Sequence, residues 1–135
     1  MKRIDITRNR RLILSSTAIY IAVITALSLI NLSPQVSEAS SMGLDKIAHF
    51  LFYFGLNGML TLSAITLHRA HSTRAKLTIM ALAIAYSIAI EILQSFIGRE
   101  FDLSDILANS LGAVASFVLI KARRVYFRIA SGGRG

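Results

Sequence analysis

Four stretches of this chain are too long and too apolar to be hidden in the core of a small water-soluble domain. They cover residues 12–32, 47–67, 77–97 and 104–120. A helix needs about 20 largely apolar residues to cross the hydrocarbon of a bilayer. The first three stretches reach that length. The fourth falls a little short, and Lys121 stands where it can snorkel to complete it. Backbone groups in lipid must be satisfied within the segment, so the stretches predict helices. The expected fold class is all-α, a four-helix transmembrane bundle. Composition agrees: 54% of the 135 residues are hydrophobic and 16% charged, against about 45–50% and about 25% in soluble domains. The chain has no cysteine, which excludes disulfides and thiolate metal sites, and no tryptophan, which leaves tyrosine and phenylalanine for any interfacial belt.

The net charge of +8 invites a nucleic-acid reading. Its distribution argues for membrane topology instead. Of the 15 basic residues, 13 lie in the N-terminal arm, the loop around residues 68–76 and the C-terminal arm, and only Lys46 and Arg99 fall on the opposite side. Lys and Arg mark cytoplasmic segments, so both termini are expected in the cytoplasm of a bacterial cell, with the chain a multi-pass protein of the cytoplasmic (inner) membrane and no nucleic acid as partner. The first apolar run is longer than the about 7–15 residues of a signal peptide core, so it reads as a retained helix. The expected organisation is a basic arm over 1–11, a transmembrane domain over 12–121 and a basic tail over 122–135. Residues 32–43 read as a polar connection and residues 131–135 as a disordered end.

The extracytoplasmic ends of the second, third and fourth helices carry the polar chemistry. Helix two opens with Asp45, Lys46 and His49, followed by Tyr53. Helix three ends with Glu91 and Gln94, then Arg99. Helix four opens with Asp102, Ser104, Asp105 and Asn109. Spacings of three and four place Asp45, His49 and Tyr53 along one helix face, and likewise Glu91 with Gln94. An acid two turns inside a spanning helix is costly unless it faces the bundle and finds a partner. Asp45 and Asp102 have simpler readings, as helix-dipole and capping residues. Gly112 with Ala108 and Ala115 reads as a close-packing surface rather than a ligand site.

The segments Asp45-Lys46-Ile47-Ala48-His49-Phe50, Glu91-Ile92-Leu93-Gln94-Ser95-Phe96, Gly98-Arg99 and Asp102-Leu103-Ser104-Asp105-Ile106-Leu107-Ala108-Asn109-Ser110-Leu111-Gly112 occur in this order. In type, order and spacing this chain resembles the VanZ-like membrane proteins over about residues 44–118. One departure is Ile97, where that family often has proline before the Gly-Arg pair. The resemblance implies a cell-envelope role. The family is linked to resistance against glycopeptides of the teicoplanin type, but many members occur without resistance genes, so resistance is not expected of this chain, and the resemblance brings no particular reaction with it.

Two readings of the cluster lead. In one, an extracytoplasmic pocket lined by Lys46, His49, Tyr53, Glu91, Gln94, Arg99, Asp102, Asp105 and Asn109 binds an anionic membrane lipid or glycolipid of the envelope; the cations meet phosphate and the acids orient them or accept from sugar hydroxyls. In the other, His49, Glu91 and Asp105 act as proton-transfer groups of an enzyme on a lipid-linked substrate. No phosphate-binding loop, nucleophile elbow or complete metal motif is present. One histidine beside carboxylates is a weak metal signal, so no metal and no cofactor are expected. A proton-coupled carrier ranks last, because the cytoplasmic halves of the helices read as apolar. Oligomeric state is not legible.

Overall fold

A computed structural model describes residues 9–30, 38–69 and 71–132. It contains four helices: α1 Arg10–Leu29, α2 Glu38–Thr66, α3 Thr73–Phe96 and α4 Leu103–Gly132. All four are long and apolar enough to cross a membrane, and the described residues contain no strand. Two helices are longer than the sequence suggests. The part of the polar connection from Glu38 onward is already helical, and 31–37 lie outside the described residues. The fourth helix, expected to stop near Ile120, runs on through the basic tail to Gly132. Apolar run length marks the membrane-crossing part of a helix, not its end. Ser131 and Gly132, expected to be disordered, close this helix, while 1–8 and 133–135 lie outside the described residues.

Local chemistry sets the turns. Ser72 caps α3 by accepting from the Ala75 N–H at 3.1 Å. At the other end of α3, Gly98 takes φ +86°, and the Arg99 N–H returns to the Gln94 carbonyl at 3.2 Å. Glycine adopts this left-handed conformation without steric cost, and the returning bond satisfies an orphan helix carbonyl. His68 does the same after α2, with φ 57° and the Arg69 N–H on the Ala64 carbonyl at 2.8 Å.

The chain runs up, down, up and down. Helices α2 and α4 are therefore parallel and form the most extensive contact, with α1 lying on α2 and α3, and α3 on α2 and α4. Gly112 explains the closeness of the α2–α4 pair, since any Cβ there would overlap the Phe50 carbonyl and the Phe54 N–H. Gly55 plays a similar part against α1, where Tyr20 lies across it and donates to the Phe52 carbonyl at 2.9 Å. Thr17 and Ser63 hydrogen-bond across the same pair at 2.7 Å.

Burial is distributed as lipid requires. Among the described residues, thirteen buried side chains are polar or charged and six are hydrophobic, while Leu12, Ile19, Leu44, Leu51, Leu82, Leu103, Leu107 and Leu111 are exposed. In water this would invert the usual preference. In hydrocarbon it is the stable arrangement, because leucine loses nothing by facing lipid and a polar group does. The buried set includes Asn57, Thr61, Ser63, Thr66 and Ser116, so the helix halves nearer the basic loop, which the sequence suggests are apolar, carry polar side chains inside.

Candidate functional site

The stretch of α2 around Lys46 and the first turn of α4 lie side by side at the end of the bundle opposite the basic loop. Their parallel course brings Lys46 to the start of α4. Its ammonium reaches Asp102 Oδ2 at 2.7 Å and pairs with Asp105 as well. Asp102 has two jobs. Its Oδ1 accepts from the Ser104 N–H at 2.7 Å and the Ser104 hydroxyl at 2.6 Å, capping α4, while Oδ2 takes the lysine. The Lys46 ammonium, with the Ser104 hydroxyl and N–H, holds the Asp102 carboxyl well below the usual carboxylate range.

One turn deeper, His49 packs between the two helices. Its Nδ1 lies 3.0 Å from Asn109 Oδ1, and Asn109 Nδ2 donates to Ser87 Oγ at 2.7 Å. With its amide so placed, Asn109 offers His49 an acceptor only, so Nδ1 carries the proton and donates. The other ring nitrogen, Nε2, faces two carboxylates: Asp105 Oδ2 at 3.5 Å and Asp45 Oδ1 at 3.7 Å. Exposure is graded. The side chains of Asp45 and Asp102 are 46% and 45% exposed, Lys46 29%, His49 10% and Asp105 5%. The acids at the rim are open and the groups behind them are closed in.

Glu91 lies behind this cluster on α3. It is fully buried, and neither carboxyl oxygen has a hydrogen-bond partner. The charges within its electrostatic reach are Asp105, His49 and Arg99. Gln94 and Arg99 turn elsewhere. Gln94 Nε2 and Arg99 Nη1 both donate to the Ser28 carbonyl, at 2.7 and 3.0 Å. That carbonyl is one of the unpaired acceptors at the C-terminus of α1, where a cation is also favoured by the helix dipole. Tyr53 is buried in the packed core, its ring 6.4 Å from that of Tyr86, and stands apart from the open rim.

The sequence-derived candidates thus fall into two linked groups. Asp45, Lys46, His49, Asp102, Asp105 and Asn109 join α2 to α4. Gln94 and Arg99 tie α3 to α1, and Glu91 lies between the groups. Two participants were missed. Ser28 contributes only a backbone carbonyl and leaves no side-chain signal. Ser87 was legible, since it stands one turn before Glu91 on the same face of α3.

The model of the VanZ/LLP1 family matches residues 5–126. The chain belongs to the VanZ/LLP1 family. The match takes in all four spans and every candidate residue. Family membership and the four spans together make this a multi-pass membrane protein. No curated protein and no solved structure matches the chain.

Proposed function

We propose that the cluster at the ends of α2, α3 and α4 is a pocket for the headgroup of an anionic envelope lipid, and that a sugar-bearing lipid phosphate suits it better than a bare phosphate. The observation that carries this reading is the open rim of mixed charge at one end of the bundle, framed by exposed apolar side chains. Leu44, Ile47, Leu103 and Leu107 are exposed around it, where acyl or prenyl chains have a surface to follow. Lys46 uses two of its three donors on Asp102 and Asp105, which leaves one for a phosphate oxygen. Asp45 and Asp102 are open at the rim and accept from sugar hydroxyls. The reading places this end of the bundle on the extracytoplasmic face of a bacterial inner membrane, with both termini in the cytoplasm.

The test uses the full chain in detergent. A polyprenyl-phosphate sugar should raise the unfolding temperature by a few degrees, as mass action requires of a ligand that binds the folded state. Polyprenyl phosphate should do less and phosphatidylcholine nothing. Each shift is read against the variant's own baseline, and Lys46→Gln should lose the glycolipid response. An equal shift from phosphatidylcholine, or a full response in Lys46→Gln, would sink the reading.

A second reading has its own support. His49, fixed at Nδ1 by Asn109 and facing Asp105 at Nε2, with Glu91 unpartnered behind, is the arrangement of an oriented proton-transfer group. Turnover of a lipid-linked substrate that is lost in His49→Gln, with ground-state lipid binding retained, would favour it.

A further inference from the structure

The polar groups around His49 Nε2 leave a gap of a particular kind. With Nδ1 donating to Asn109, the neutral form of the ring has its lone pair on Nε2. It points toward two carboxylate oxygens at 3.5 and 3.7 Å. Those distances exceed a sound hydrogen bond, and three electron-rich atoms facing one another call for a cation between them. Lys46 does not fill that role, because it engages the other oxygen of Asp105, Oδ1, and Asp102. One ligand atom each from Asp45, His49 and Asp105 all lie within 4.8 Å of one another. The centre of a triangle with these edges is at most roughly 2.4 Å from each corner, close to the about 2.0–2.2 Å of Zn–N and Zn–O bonds.

We propose that Asp45, His49 and Asp105 form a binding site for a divalent cation of the Zn²⁺ or Mn²⁺ class. Two further features support it. The Asn109–Ser87 chain fixes both the ring orientation and the tautomer of His49, as hydrogen bonds behind metal-ligating histidines do. Glu91 stands behind the cluster on α3, buried with two unpartnered oxygens and with Asp105 and His49 among the charges that act on it, outside the group whose ligand atoms lie within 4.8 Å of one another. From there it reaches the ion only through a bound water. One imidazole with carboxylates and no thiolate selects against soft monovalent metals. Three protein ligands leave a coordination position open on the Asp45 side, where the rim is exposed. An ion there supplies the positive charge that the acid-rich rim lacks for a phosphate. That last step alone rests on the headgroup reading; the metal site does not.

The experiment titrates the full chain, purified in detergent and stripped with EDTA, with ZnCl₂ or MnCl₂ in a calorimeter. One equivalent should bind per chain. Asp45→Asn, chosen because Asp45 is exposed and its loss leaves packing intact, should weaken binding at least tenfold, as should His49→Gln. Asn109→Ala should weaken it about 10- to 100-fold through the ring orientation. His68 and His71 stack at the opposite end of the bundle, with ring centroids 5.9 Å apart, and form the competing site to exclude. The His68→Gln, His71→Gln double variant should bind as the wild type does. Absence of saturable binding overturns the proposal, as does affinity unchanged in Asp45→Asn or lost only in the double variant. Repeating the glycolipid shift with and without the metal separates the two readings. Metal binding with no lipid response removes the headgroup reading and leaves the metal site standing.

Discussion

The two ends of this bundle both carry charge, and they use it in opposite ways. At one end Lys46 is held by two acids, one of them buried, and His49 is locked between helices. At the other, Arg69, Arg74, Lys121 and Arg124 are exposed, and Arg124 donates to the His71 carbonyl at 2.8 Å. The basic end is rich in charge and poor in acids. Apart from Lys76, which is buried at the start of α3, its residues act by number, setting which side of a membrane a segment occupies. The mixed end has few charges, and each is placed. There the charges are structural members, and the removal of one leaves another exposed to a medium that does not solvate it.

The largest effect tests which end faces out. With cysteine placed singly at Glu100 and at His71, a membrane-impermeant thiol reagent on intact cells should label position 100 and leave position 71 unlabelled until the membrane is permeabilised. The reverse pattern would exchange the roles of the two ends. Next in size is the contrast in stability. Asp105→Ala removes a buried partner of Lys46 and a neighbour of His49, and should cost about 3 kcal/mol in thermal unfolding, the range for breaking a buried pair. Arg124→Gln at the basic end should stay within about 0.5 kcal/mol. Similar losses in both would erase the distinction between placed and counted charges.

Between the ends lies Asn57, buried with neither its amide N–H₂ nor its carbonyl hydrogen-bonded. Asn57→Leu removes an unsatisfied polar group while keeping the same branched skeleton, so it should leave stability unchanged or raise it by about 1 kcal/mol. A marked loss of stability would mean that the amide has a partner in the folded protein and that the polar interior continues without interruption from end to end.

How much of this was legible in the sequence depends on the kind of signal. The four spans are written in run length, and Asp45, His49, Glu91 and Asp105 stand out because ionisable groups beside hydrocarbon are expensive. Small hydroxyls are cheap enough to be scattered through apolar runs, so Thr17 and Ser63 gave no warning before their faces were known. Helix ends were misplaced where polar residues extend a helix beyond the lipid, as in α2 from Glu38 and in α4 past Lys121. The direction of Arg99 was hidden too. It is set by the left-handed turn at Gly98 and by a backbone carbonyl on α1, and neither appears as a side-chain pattern.

The smallest effect concerns Asp102, which sits on the border between the two kinds of charge: paired with Lys46, yet nearly half exposed. The Lys46 ammonium and the Ser104 donors lower its carboxyl pKa in the folded state. The unfolded chain, with an ordinary aspartate near about 3.9, therefore takes up this proton first as pH falls. The stabilisation from Asp102 is complete above that value and is lost as pH drops through the lower folded value. Wild type and Asp102→Asn should thus differ by a constant amount from pH 7 to about pH 5, and the gap should narrow only below the ordinary aspartate value. Solvent screens so exposed a pair, so the gap belongs at the low end, under about 1 kcal/mol. A difference that fades already between pH 7 and about pH 5 would show that Lys46 does not hold Asp102 ionised, and would leave capping of α4 as its sole task.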